Sequence, residues 1–190
     1  MKSKTNSLLL LFDLLKKEKP YWHQSILIAN LSTHRLQVFE LLGPGLSPKS
    51  EYLFSASRRP YCCLKNSLGT PNGWHVICEK IGDALPQGAV LKGRKYANYQ
   101  AKSSNHPDCL GLITSRILRL KGLEWGLNRG WDLKAHQSCD TYERCVYLHG
   151  TNLERFIPQR LSQGCLLLDN DAIVKLFDDI PLGSYLNIML

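Results

Sequence analysis

Cys145-Val146-Tyr147-Leu148-His149-Gly150-Thr151 is an apolar run rich in β-formers that ends on an imidazole and a glycine. Ser162-Gln163-Gly164-Cys165 follows, so that a thiol stands 16 positions after His149. The first run predicts a strand, and a strand terminus fixes a side chain while leaving it open to a ligand. A free thiol with a pKa of about 8.5 is only a few per cent thiolate at neutral pH. It becomes a good nucleophile when a base such as a nearby imidazole takes its proton. Gly164 lets the backbone approach a substrate closely, and adjacent main-chain N–H groups can stabilise a tetrahedral oxyanion. Taken singly, a cysteine is more often a buried packing residue, and a strand-ending histidine often only satisfies a backbone group.

Outward from this pair, Asp169-Asn170-Asp171 offers N-cap oxygens and negative charge for a helix whose apolar face is Ala172, Ile173, Leu176 and Phe177. Pro181-Leu182-Gly183 stops that helix, and Ser184 to Leu190 predicts a last short strand. Upstream, Ser115-Arg116-Ile117-Leu118-Arg119-Leu120 and Trp74-His75-Val76-Ile77-Cys78 also predict strands, the latter after a turn at Gly69-Thr70-Pro71-Asn72-Gly73. Ile26-Leu27-Ile28-Ala29 and Leu36-Gln37-Val38-Phe39 predict two more strands around a turn. Gly43-Pro44-Gly45 breaks regular structure, residues 82 to 110 predict a long surface excursion, and Gly122 to Gly130 a glycine-punctuated loop. No internal repeat or low-complexity linker divides the 190 residues, a length that suits one domain. The expected organisation is an extension over residues 1–24, carrying a short amphipathic helix before Pro20, and a domain over residues 25–190.

The 24 Lys and Arg against 16 Asp and Glu give a net charge of +8. Such a balance suits anionic polymers or carboxylate-bearing substrates. No basic run, zinc-finger spacing or aromatic RNA-binding motif supports a nucleic-acid partner. Seven cysteines, an odd number, form no recognisable disulfide framework and fit a reducing compartment. Ser7-Leu8-Leu9-Leu10-Leu11-Phe12 is cut short by Asp13 and followed by lysines, unlike a signal peptide. No apolar stretch approaches the roughly 20 residues of a membrane helix. His136, Cys139 and Cys145, like His106 and Cys109, match no standard zinc spacing, so neither metal nor cofactor is expected.

The His149-Gly150-Thr151 and Ser162-Gln163-Gly164-Cys165 motifs, at this spacing, resemble the signature of the L,D-transpeptidase catalytic domain (YkuD-type) family. Thr70-Pro71-Asn72-Gly73 is similar to that family's Thr-Pro-x-Gly turn, and Leu123 to Gly130 resembles a segment preceding the His-Gly-Thr strand in one of its branches. The likeness spans residues 25–190 and is strongest over 114–190. It implies a mainly β, sandwich-like fold with mixed sheets and one helix in the C-terminal region. It also implies a cysteine acyltransferase of peptidoglycan stem peptides working through a thioester. An amine acceptor would give 3-to-3 cross-links, and water would give L,D-carboxypeptidase activity. By matching positions, Cys165 is the expected nucleophile and His149 the general base. Gly150 supplies a carbonyl that orients the imidazole, and Gly164 with Cys165 the oxyanion donors. Thr151, Ser162 and Gln163 would line the substrate site.

One departure bears on substrate binding. Leu167 stands where such proteins usually carry an Arg able to hold a carboxylate through paired hydrogen bonds. Arg155 and Arg160, between the two motifs, are the expected substitutes. The alternatives are a degenerate protein that binds wall peptides without turning them over, and a thiol hydrolase acting on another peptide or ester. Peptidoglycan chemistry outside the inner membrane sits awkwardly with free cysteines and with a start unlike an export signal.

Overall fold

The computed structural model describes residues 25–42, 45–102 and 111–190. The N-terminal helix expected before Pro20 and the pair His106 and Cys109 lie outside the described residues. Among the described residues, twelve strands, one short 3-10 turn and one α-helix follow in chain order. The strands are β1 (Ser25–Asn30), β2 (Arg35–Leu42), β3 (Gly45–Leu53), β4 (Gly73–Ile81), β5 (Ala89–Lys92) and β6 (Lys95–Gln100). They continue with β7 (Thr114–Gly122), β8 (Trp131–Asp132), β9 (Gln137–Ser138), β10 (Tyr147–Gly150), β11 (Leu166–Leu168) and β12 (Tyr185–Met189). Helix α1 spans Asn170–Asp179.

Ten strands form one mixed sheet in the order β11-β10-β7-β4-β12-β1-β2-β3, with β5 joined to β7 and β6 to β5. The pairs β1/β12 and β10/β11 are parallel, and the others are antiparallel. The two ends of this order do not stay apart. Ser55, just beyond β3, pairs with Leu167 of β11 through Ser55 N–H to Leu167 O at 2.9 Å and Leu167 N–H to Ser55 O at 2.8 Å. One buried cluster correspondingly takes Leu36 and Val38 from β2, Leu148 from β10 and Leu166 from β11. The sheet therefore curls over a common core, which agrees with the expected sandwich-like, mainly β fold.

Strand β7 is buried at every position but Lys121, because strands flank it on both sides and α1 covers one face. Its two buried arginines are paired. Arg119 donates to Glu79 at 2.9 Å and stacks 3.5 Å from the Tyr142 ring, and Arg116 donates to Leu85 O at 2.8 Å. Helix α1 forms as its sequence requires. The Asp169 side chain accepts from Ala172 N–H at 2.7 Å, and Ala172, Ile173, Leu176 and Phe177 face the core. Lys80 donates to the carbonyls of Phe177 and Ile180, the latter at 2.8 Å, satisfying the helix end.

Two expectations are corrected, and a third gains detail. Part of 82–110 is not a surface excursion but the hairpin β5–β6, turned by Gly93 and Arg94 at φ 53° and 65°. Its apolar core, Ala89-Val90-Leu91, is too short to show a period, and Gly-Arg is a weak turn signal. Gly45 opens the nine-residue β3 instead of continuing a break. Pro48 is tolerated there because β3 is the last strand of the path. The Gly122 to Gly130 loop is tied down: Asn128 Nδ2 donates to Asn72 O at 2.9 Å and Trp74 O at 3.1 Å, locking it onto the Thr70 to Gly73 turn. Among the described residues no helix is long and apolar enough to cross a membrane.

Candidate active site

Parallel pairing of β10 with β11 converts the spacing of the two motifs into proximity. Leu148 lies opposite Leu166, His149 opposite Leu167 and Gly150 opposite Leu168. Cys165, one residue before Leu166, falls beside Tyr147, whose N–H donates to Sγ at 3.4 Å. The thiol in turn donates toward Cys145 O at 3.7 Å. Cys165 is half-buried, and together with His149 it lines a cavity of about 350 Å³.

The imidazole is held firmly. His149 is 5% exposed, and its Nδ1 lies 2.8 Å from Gly150 O. A carbonyl only accepts, so Nδ1 carries the proton and Nε2 keeps a lone pair. Burial lowers the His149 pKa to about 4, opposed by the Gly150 carbonyl. Burial raises Cys165 to about 11, opposed by the Tyr147 N–H and the Arg144 guanidinium. Both shifts favour a neutral thiol and a neutral imidazole at pH 7.

Gly150 is confined from behind. A Cβ there would stand 2.6 Å from Asn170 Oδ1 and 2.7 Å from Thr114 O. Asn170, the first residue of α1, also donates through Nδ2 to Thr151 O at 3.2 Å and to Glu154 Oε1 at 2.7 Å. Thr114 and Ser115 hydroxyls donate back to its Oδ1. The helix start thus fixes the end of the β10 strand. Asn170 was missed as a site residue because at the sequence level it reads only as part of a helix cap.

The loop leading to Cys165 is organised by Ser162. Its hydroxyl donates to Cys165 O at 2.6 Å and accepts from Gly164 N–H at 3.2 Å. Gly164 has φ +126°, a conformation side chains rarely adopt. Thr151, Ser162 and Gln163 all line the cavity, Gln163 from an exposed position and the other two from buried ones. The Thr151 hydroxyl accepts from Leu153 N–H at 3.1 Å.

The arginines fall elsewhere than expected. Arg160 donates from Nε to Ser57 O at 2.7 Å and from Nη2 to Arg59 O, with its guanidinium 4.8 Å from the Tyr61 ring. It is a clamp on a neighbouring segment and does not line the cavity. Arg155 is exposed in the short turn Glu154–Phe156, also outside the lining. Leu167 is 4% exposed and packs with Leu153 and Leu161. It lines the cavity together with Ile113, Leu161 and Arg58. Arg58 and Arg144 were both missed. Arg144 donates to Gly69 O at 2.6 Å and Cys62 O at 3.1 Å, bracing the loop against which Gly164 sits. Neither had a sequence signal, since each lies outside the two motifs.

The sequence model of the L,D-transpeptidase catalytic domain (YkuD) matches residues 24–188. A stretch of 46 residues, 24% of this chain and 15% of the relative, is 46% identical to the probable L,D-transpeptidase ErfK/SrfK of Escherichia coli K12. Over 55 residues, 29% of this chain and 28% of the relative, identity to the putative L,D-transpeptidase YqjB of Bacillus subtilis is 38%. Among solved structures, Bd1075 of Bdellovibrio bacteriovorus superposes with a TM-score of 0.54 at 16% identity, covering 90% of this chain and 49% of that one. The helical cell shape determining protein Pgp2 of Campylobacter jejuni gives 0.53 at 12% identity, covering 93% and 54%. Both likenesses are of fold. The chain spans about half the length of these solved proteins and a smaller share of the curated relatives.

Proposed function

The chain belongs to the L,D-transpeptidase catalytic domain family, and we propose that it is a cysteine acyltransferase of peptidoglycan stem peptides in which Cys165 is the nucleophile and His149 the general base. One observation carries this reading: His149, on β10, and Cys165, just ahead of the parallel neighbour β11, line a single cavity, with the imidazole's Nε2 left as its acceptor.

The thiol turns from Cys145 O toward His149, and its proton passes to Nε2 as Sγ attacks the carbonyl of the third stem residue. Main-chain N–H groups of Cys165 and Gly164 face the developing oxyanion, the latter exchanging its contact with the Ser162 hydroxyl for the substrate oxygen. The C–N bond to the terminal D-alanine breaks, and the imidazolium returns the proton to the leaving amine. A thioester remains on Cys165. The amine of a neighbouring stem attacks it and loses a proton to His149. The C–S bond then breaks and the thiol is re-formed, giving a 3-to-3 cross-link. Water in place of the amine gives a carboxypeptidase.

The test is intact-mass analysis of the folded protein mixed with tetrapeptide muropeptides. The expected result is an acyl adduct mapping to Cys165, or a cross-linked or trimmed product. Folded protein with neither adduct nor product counts against catalysis. A second reading, binding without turnover, is favoured by one observation, the apolar packing of Leu167 where a guanidinium is usual. It requires an inactive parent and muropeptide binding retained by Cys165→Ala.

A further inference from the structure

The ladder between β7 and β10 breaks just after the imidazole. His149 lies opposite Ile117, but Gly150 lies opposite Thr114, so Ser115 and Arg116 are extra residues on β7 with no counterpart on β10. Ser115 is fully buried at φ 62°, a left-handed conformation that a non-glycine residue keeps only where its surroundings demand it. Its hydroxyl holds it there, accepting from Gly88 N–H at 2.9 Å and donating to Asn170 Oδ1. The break in the sheet is thus closed by a side chain of α1.

Asn170 uses every polar position of its amide. Oδ1 accepts from the hydroxyls of Ser115 and Thr114, the latter at 2.6 Å. Nδ2 donates to Thr151 O at 3.2 Å and to Glu154 Oε1 at 2.7 Å, and the Asn170 backbone N–H donates to that same carboxylate oxygen at 2.7 Å. A carbonyl and a carboxylate only accept, so the amide can face only one way. The Gly150 carbonyl belongs to the peptide joining Gly150 to Thr151, and that peptide is held on both sides. Asn170 Oδ1 and Thr114 O leave no room for a Cβ on Gly150, and Asn170 Nδ2 holds the Thr151 carbonyl. His149 Nδ1 donates to the Gly150 carbonyl so placed, at 2.8 Å. Neither Asn170 nor Glu154 is among the residues lining the cavity, so both act on the imidazole through the backbone.

We propose that Glu154 and Asn170 are positioning residues for His149. The carboxylate aims the amide, the amide aims the peptide between Gly150 and Thr151, and that carbonyl keeps the imidazole proton on Nδ1. Nε2 then remains free to take a proton from the thiol. The proposal rests on the reading of His149 as general base and adds two residues, both outside the His149 and Cys165 motifs, that set its tautomer.

The experiment reads the His149 tautomer by nitrogen NMR of the full chain at pH 7, its signals assigned by their loss in His149→Gln. The parent is expected to show one form, with the proton on Nδ1. Asn170→Asp removes both amide donors and sets a carboxylate against Glu154 and the Thr151 carbonyl, and Glu154→Ala removes the acceptor that aims the amide. Each should give a mixture of tautomers and, with tetrapeptide muropeptides, a kcat lower by about tenfold or more at little-changed KM. Glu154→Gln keeps an acceptor and should behave as the parent. Added to Asn170→Asp it supplies a donor to the new carboxylate and should recover part of the Nδ1–H form. A folded Glu154→Ala protein with an unchanged tautomer overturns the proposal, as does no recovery in the Asn170→Asp, Glu154→Gln pair. Should Asn170→Asp not fold, Glu154→Ala decides alone. The tautomer is read without substrate, so the two readings fail separately. An adduct on Cys165 with an unmoved tautomer leaves acyl transfer standing without this positioning. A tautomer that moves as expected in a protein forming no adduct does the reverse.

Discussion

Oδ1 of Asn170 stands 2.6 Å from the point a Cβ on Gly150 would occupy, so the first residue of α1 sets the path of the chain just beyond His149. The carbonyl of that same Gly150 holds the imidazole at 2.8 Å. A change at Gly150 must therefore act on the imidazole as well as on packing.

Gly150→Ala is expected to destabilise the protein by about 1–3 kcal/mol through overpacking against Asn170 and Thr114. It should lower acyl transfer by about tenfold or more, because the ring loses its orientation. Denaturant unfolding and the rate of adduct formation on Cys165 check the two effects separately. An unchanged adduct rate would show that the carbonyl is not needed to aim the imidazole.

Stability should fall as the solution is acidified. His149 and His75 are both buried, and burial lowers each pKa from 6.5 to about 4. The unfolded chain takes up a proton near pH 6.5 at each, whereas the folded chain does so only near 4. Stability present above pH 6.5 is thus lost progressively as pH falls through 4, by on the order of 3 kcal/mol for each residue. A thermal melt at pH 7 should exceed one at pH 4.5 by several degrees, and equal melting temperatures would contradict this account.

Alkylation of Cys165 by iodoacetamide should be slow at pH 7 and climb toward pH 11. Burial raises its thiol to about 11, so the resting protein holds little thiolate. Peptide mapping separates it from Cys145, which is exposed. A plateau below pH 8 would indicate a preformed thiolate and imidazolium pair in place of proton transfer during attack.

Arg160→Ala should loosen the segment from Ser57 to Arg59 by removing two guanidinium hydrogen bonds and a stacking contact on Tyr61. The expected signature is a raised KM for stem peptides with kcat changed much less, since the thiol and imidazole are held by other elements. A fall in kcat at unchanged KM would place Arg160 closer to the reacting atoms than its contacts indicate.

Much of this architecture was legible along the chain because the signals are local. Alternation in β2, the Asp169 cap with the apolar face of α1, and the apolar run ending at His149 each depend on neighbours a few positions away. The two motifs identified the family because their residues and spacing sit on adjacent strands, so that a distance in sequence became a distance across a ladder. The remaining features needed long-range contacts. Hairpin β5–β6 gains its place by pairing Val90 with Thr114, and the sheet closes because Ser55 meets Leu167 from the far end of the strand order. The same closure brings Arg58 to the cavity lining and turns Arg160 into a clamp. An arginine arm is long enough to serve either purpose, and which one it serves depends on the carbonyls that folding brings within its reach.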